Sequence, residues 1–378
     1  MSSSVTHADA FLGLFERGGD VPYLVIEDGD RPRWAFPVSP TNVLRSSMAV
    51  YTPGTAKAVA GWYGAGLAVG AGFGRLLPGR RSAVRLSLAS TLSTIAACPD
   101  AHFAVASSFD GHRCVVGIID GSGTPRAFAK IAWSHDEAAA DRFRTEAQVL
   151  EHVSGSLTGV RVPRLLHIGT LGDHFALVVT AVPGKPGLHP SRLGRRRIDA
   201  ATEIFSMRGP STSLEEHLNI VVADPGWKQR LRDVRGATDA IADLPLASGL
   251  VHGDFAPWNL LEDRGRVGIV DWEQARFAGL PFWDPWHFTV QAASLARSSG
   301  ALRAIREAIR GYGALAETLR RYAERCDVPA GISSDVLLVY LVETGIGLIE
   351  AASLGATDAR QALAFRGRLL DEAMEVLT

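Results

Sequence analysis

The segment Leu250-Val-His-Gly-Asp-Phe-Ala-Pro-Trp-Asn259 places an aspartate, Asp254, five residues before an asparagine, and Asp271 follows in Asp271-Trp-Glu273. Phosphoryl transfer from ATP needs such a set: a carboxylate beside the acceptor hydroxyl and oxygen ligands for Mg²⁺ bridging the phosphates. Asp254 can orient a hydroxyl and accept its proton, while Asn259 offers a neutral carbonyl oxygen. Asp271 ends the apolar run Val267-Gly-Ile-Val270, so a strand would bring it to the same point from the other side. Taken singly, each of these residues would be a turn former, and His252 a structural hydrogen bonder. Only their joint spacing points to a site.

Such a loop needs elements to hold it. His102–Ala106, Cys114–Ile119 and Ala127–Ala132 read as three strands, with the turn Asp120-Gly-Ser-Gly-Thr-Pro125 before the third. Residues 135–153 then show helical spacing, with Ala139, Phe143, Ala147 and Leu150 on one face. Val162–Ile168 and Phe175–Thr180 are two further strands, which makes a small lobe of five strands with one inserted helix. Pro183-Gly-Lys-Pro-Gly187 reads as a hinge, and helical periodicity dominates from there to residue 377. Residues 1–100 are expected to form an accessory region: a hairpin around Glu27–Arg33, then a small-residue helix. The run Ala58–Phe73 is uncharged but too short for a spanning helix, which needs roughly 20 residues. Its five glycines read as packing positions rather than a nucleotide loop, since no strand precedes them.

His-Gly-Asp-x-x-x-x-Asn followed by Asp-Trp-Glu resembles the aminoglycoside phosphotransferase and choline kinase group of the protein-kinase-like fold. The resemblance covers roughly residues 100–378. It implies an α+β, two-lobed fold, with a strand-rich N-lobe (101–183) and a helical C-lobe carrying the catalytic loop (184–378). It further implies that Asp254 is the catalytic base and that Asn259 and Asp271 bind magnesium. Asp284, in Gly279-Leu-Pro-Phe-Trp-Asp284, would be a structural acid bracing the loop. The upstream lobe should then supply a phosphate-binding lysine and its partner glutamate. Lys130, in the third strand, and Glu146, on the following helix, match these two. Backbone amides between Ser108 and Gly111 would cover the phosphates, and adenine would sit near Thr180 and Val182.

The expected activity is therefore ATP-dependent, Mg²⁺-requiring transfer of a phosphoryl group to a hydroxyl of a small molecule: a sugar, an aminoglycoside or an amino alcohol. Two other readings compete. A non-catalytic nucleotide-binding relative would be expected to have lost one of the five residues. A metallohydrolase using His252, Asp254, Asp271 and His287 leaves the lysine–glutamate pair unexplained. An aminoglycoside pocket would draw on carboxylates, with Glu215, Glu216, Asp224, Glu343 and Glu350 as candidates. Across 378 residues, 39 Lys plus Arg nearly balance 40 Asp plus Glu, giving no reason to expect a nucleic-acid partner. Three scattered cysteines (Cys98, Cys114, Cys326) and an N-terminus without a positive or long apolar stretch lead to the expectation of a cytoplasmic protein with no integral membrane segment.

Overall fold

The computed structural model describes residues 11, 13–28, 31–50, 56–107, 113–133, 136–186, 193–296, 299–353 and 357–377. The chain divides into two compact units, one of residues 1–156 and 162–182, the other of residues 157–161 and 183–378. The fold is α+β, an antiparallel sheet in the first unit and mostly helices in the second.

In the first unit, β1 (Phe15–Asp28), β2 (Arg31–Pro37), α1 (Thr41–Ser47), α2 (Ala56–Gly70), β3 (Arg80–Leu86) and α3 (Ala89–Ile95) precede the five strands read from the sequence. Those strands are β4 (His102–Ser107), β5 (Arg113–Ile119), β6 (Pro125–Ala132), β8 (Leu165–Leu171) and β9 (His174–Thr180), while β7 (Val160–Arg161) belongs to the second unit. Helix α4 (Glu137–Val153) follows β6, and Asp136 caps it by accepting from the Ala139 amide at 2.9 Å. Its buried residues include Ala139, Phe143, Ala147 and Leu150, the face that the spacing predicts.

The eight strands among the described residues of this unit form one sheet in the order β3-β1-β2-β4-β5-β6-β9-β8. The first hundred residues therefore lie in the same compact unit as the strands that follow, joined through Trp34↔Ala106 and Ala35↔Val105. One apolar cluster runs from Phe11, Leu14 and Leu92 to Val116, Ile131 and Val178. Helix α2 packs through Trp62 and Val69 against Phe36, Leu44 and Met48. Its glycines contribute little to that contact. A side chain at Gly61 or Gly64 would meet no atom within 4 Å, and Leu67 on the same helix is 75% exposed.

The second unit begins with β7 and β10 (Lys185–Pro186), then α5 (Arg195–Phe205), α6 (Leu214–Leu218) and α7 (Pro225–Thr238). Next come β11 (Gly249–Val251), β12 (Leu260–Asp263), β13 (Arg266–Ile269), β14 (Arg276–Gly279) and α8 (Trp283–Ala296). Helices α9 (Ser299–Ile309), α10 (Gly313–Cys326), α11 (Ser333–Gly347), α12 (Ile349–Ser353) and α13 (Thr357–Leu377) complete it. The helical periodicity is interrupted between α9 and α10 at Gly311 and Gly313, both at positive φ. The window Ala330–Gly347 is long and apolar enough to span a membrane, but half of it is buried in the unit, including Val336–Val342.

Candidate active site

In the second unit, two strand pairs hold the His252–Asn259 loop. β11 pairs with β14 (Gly249↔Gly279), and the chain leaves β11 directly into His252. Gly253 takes φ +80°, and a Cβ there would lie 2.1 Å from the Gln274 carbonyl, so only glycine fits. Asp284, in the first turn of α8, accepts from the His252 amide at 2.8 Å and the Gly253 amide at 3.1 Å. Burial pushes the Asp284 carboxyl up to about 7, against the lowering effect of those two amides. It is a brace for the loop, as the sequence suggests.

His252 is fully buried, and burial lowers it to about 4, so it is neutral at physiological pH. Its Nε2 lies 3.0 Å from the Val270 carbonyl, which fixes the proton on that nitrogen. The ring meets Trp272 edge-on at 4.7 Å.

The hairpin of β12 and β13 pairs Leu260 with Ile269, and the Val270 amide donates to the Asn259 carbonyl at 3.1 Å. Asn259 and Asp271 thus flank the open end of one ladder. Asp271 adopts φ +69°, a left-handed conformation that aspartate tolerates better than most residues. The side-chain amide of Asn259 donates to Asp254 Oδ2 at 2.8 Å and to its backbone carbonyl at 3.0 Å. That leaves Asn259 Oδ1 without a bond among the described residues. A neutral oxygen beside a carboxylate is the donor set a hard divalent cation takes, so these residues fit magnesium.

Asp254 accepts a second hydrogen bond, from His287 Nε2 to Oδ1 at 2.9 Å. Burial alone would raise Asp254, but the hydrogen bonds from His287 and Asn259 help hold it below the ordinary carboxylate value. On its other side, His287 Nδ1 lies 3.3 Å from the Tyr340 hydroxyl, which Arg366 in turn contacts. Donors thus run from Arg366 on α13 through Tyr340 on α11 and His287 on α8 to Asp254. The sequence reading considers His287 only as a ligand in the hydrolase alternative. Its position three residues after Asp284, on the same helical face, is the signal that would have found it.

Asp254 and His287 border a cavity of about 810 Å³ within this unit, with Glu216, Arg276, Glu343 and Arg366 among its walls. Of the five carboxylates suggested for a cationic pocket, only Glu216 and Glu343 line it. Asp224 caps α7 through the Trp227 amide, and Glu215 lies 3.9 Å from Arg235. Glu343 itself is engaged by Arg276 and, at 3.1 Å, by His217 Nδ1.

In the first unit, Lys130 pairs across the sheet with Val115 and Leu177, on the face opposite the core residues Ala127, Ala129 and Ile131. Its Nζ donates to Glu146 Oε2 at 2.5 Å, and Glu146 is only 1% exposed. At the end of β9, the Thr180 amide donates to the Arg164 carbonyl and the Ala181 amide to that of Arg126. The amide of Val182 makes no such bond among the described residues. Ser108 and Gly111 lie outside the described residues.

With this geometry in place, comparison with known proteins is informative. The profile of the phosphotransferase enzyme family matches residues 115–325, more than half of the chain. Hygromycin-B 4-O-kinase of Escherichia coli is 34% identical in an alignment of 85 residues that covers 17% of this chain. The chain spans only 25% of that relative's length in the match. A thermostable mutant of aminoglycoside phosphotransferase APH(4)-Ia superposes with a TM-score of 0.46 at 17% identity, covering 71% of this chain and 94% of its own. Choline kinase LicA from Streptococcus pneumoniae gives 0.49 at 10% identity, covering 76% and 98%.

Proposed function

This chain belongs to the phosphotransferase enzyme family, and from that premise we propose that it is an ATP- and magnesium-dependent kinase of a small molecule bearing a hydroxyl group. The observation that carries the reading is Asp254 itself. It is a carboxylate held ionised at the wall of a cavity, with one oxygen bonded by His287 and the other by Asn259.

The second unit supplies the acceptor chemistry. A hydroxyl entering the cavity donates to Asp254, which orients its oxygen and takes up the proton as that oxygen bonds to the γ-phosphorus of ATP and the bond from this phosphorus to ADP breaks. His287, with its proton on Nε2 and its Nδ1 facing the Tyr340 hydroxyl, keeps Asp254 in one rotamer and ionised. Asn259 and Asp271 would hold magnesium, which when bound offsets the negative charge of the phosphates. The first unit supplies the nucleotide contacts: Lys130, positioned by Glu146, for the phosphates, and Thr180 and Val182 beside the adenine. Ser108 and Gly111 complete that proposal as the phosphate-covering loop. Val182 is the residue of the pair whose amide the sheet does not use.

ADP release measured on the wild type and on Asp254→Asn, against a panel of sugars, amino alcohols and hydroxy acids, tests the reading. The variant should lose transfer by roughly three orders of magnitude while binding ATP as before. A variant with full activity removes Asp254 as the base, and equal ATP affinity with and without magnesium removes Asn259 and Asp271 as ligands.

A further inference from the structure

Arg366 is a buried cation with no counter-charge among the described residues. Only 4% of it is exposed, and its described partners are neutral: Nε donates to Thr344 Oγ1 at 3.0 Å, and the guanidinium contacts the Tyr340 hydroxyl. No carboxylate pairs with it among the described residues. Removing a guanidinium from water without an opposite charge is costly, and proteins rarely leave such a group uncompensated. The remaining N–H groups of Arg366 belong to a residue that lines the same cavity as Asp254.

The carboxylates of that cavity have direct partners of their own. Glu343 is engaged by Arg276 and by His217 Nδ1, and Asp254 accepts from His287 and Asn259. Glu216 has no cationic partner among the described residues, but it is exposed to solvent and accepts from Thr212 Oγ1 at 2.7 Å. Arg366 is therefore the buried charge of the site whose described partners are hydroxyls alone. A polycationic acceptor would find one solvated carboxylate and two occupied ones.

We infer that the acceptor carries an anionic group, a carboxylate or a phosphate, which Arg366 receives while a hydroxyl of the same molecule reaches Asp254. This rests on the kinase reading above and narrows its substrate to hydroxy acids or hydroxylated phosphate esters. It sets the chain apart from an acceptor recognised by ammonium groups.

Calorimetric titration of the full chain with matched probes tests it without requiring turnover. D-gluconate is compared with D-glucose, and D-glycerate and glycerol 3-phosphate with glycerol; choline and kanamycin serve as cations. At least one anionic probe should bind about tenfold or more tightly than its neutral counterpart, as a charge-assisted bond to a buried guanidinium implies. The gluconate and glycerate arms against the glycerol 3-phosphate arm separate carboxylate from phosphate. Arg366→Gln should abolish that preference and Arg366→Lys restore part of it, with melting curves reporting whether each variant folds. The wild-type probe pairs decide the matter if neither variant does. Anionic probes binding no better than their neutral partners overturn the inference, as does ADP release with choline or kanamycin but with no anion. If an anion binds through Arg366 and no probe at all is phosphorylated, the anion site stands and the kinase reading falls.

Discussion

Replacing Asp284 by asparagine should change how stability responds to pH, and in a direction that the site fixes. Two buried groups in direct backbone contact titrate oppositely. Asp284 is raised from 3.8 to about 7, and His252 is lowered from 6.5 to about 4. For Asp284, the folded state holds a proton that the unfolded chain releases, so its contribution is complete below pH 3.8 and is lost as pH rises through 7. At about 1.4 kcal/mol per pH unit this amounts to roughly 4 kcal/mol. For His252 the unfolded chain takes up the proton first, so stability is lost as pH falls from 6.5 to 4, by roughly 3 kcal/mol. In the wild type the two nearly offset one another between pH 4 and 7. Asp284→Asn removes one side of the balance. At pH 8 it should cost about 1–3 kcal/mol, because one of two backbone donors faces an amide NH₂ in place of an acceptor. At pH 4 the gap from wild type should be wider by roughly 4 kcal/mol. Urea unfolding followed by tryptophan fluorescence reads this directly, since Trp272 packs against His252. A gap that stays constant within about 1 kcal/mol from pH 4 to 8 would refute the reasoning.

Glu146→Gln removes the partner of a lysine whose side chain is only 13% exposed. It should raise the KM for ATP by about tenfold or more and lower the melting temperature, since breaking such a pair costs up to about 3–5 kcal/mol; unchanged ATP kinetics would detach Lys130 from the nucleotide. Gly345→Ala would place a methyl 2.1 Å from the Trp227 ring, which is itself buried. The clash should cost about 1–3 kcal/mol in thermal or urea unfolding, and an equally stable variant would mean that α7 and α11 yield easily.

The catalytic loop was legible because its pieces are sequence-local: Asp254 and Asn259 lie in one loop, and Asp271 sits one hairpin away. Short apolar runs bounded by turn residues also marked β4, β5, β6, β8 and β9. The donor chain behind Asp254 was not legible, because His287, Tyr340 and Arg366 come from three helices up to 79 residues apart. Only tertiary packing joins them, although an arginine three and four residues before the buried Leu369 and Leu370 is an anomaly on an apolar face. Nor did composition reveal which carboxylates of the helical region reach the cavity, since capping and surface pairing claim Asp224 and Glu215.

The N-terminal strands have a bearing on where this chain can be cut. The family match begins at residue 115, yet β4 already has a neighbour on each side, β2 and β5. Trimming the chain to begin at His102 would uncover the β4 edge and strip Phe11, Leu14, Leu86 and Leu92 from the core they share with Val116 and Ile131. An unprotected, apolar strand edge is a template for intermolecular pairing. Among the described residues the strand on that edge of the sheet is β3, whose exposed Arg80, Arg81 and Arg85 oppose such pairing. Strand β3 thus gives this edge of the sheet a charged border.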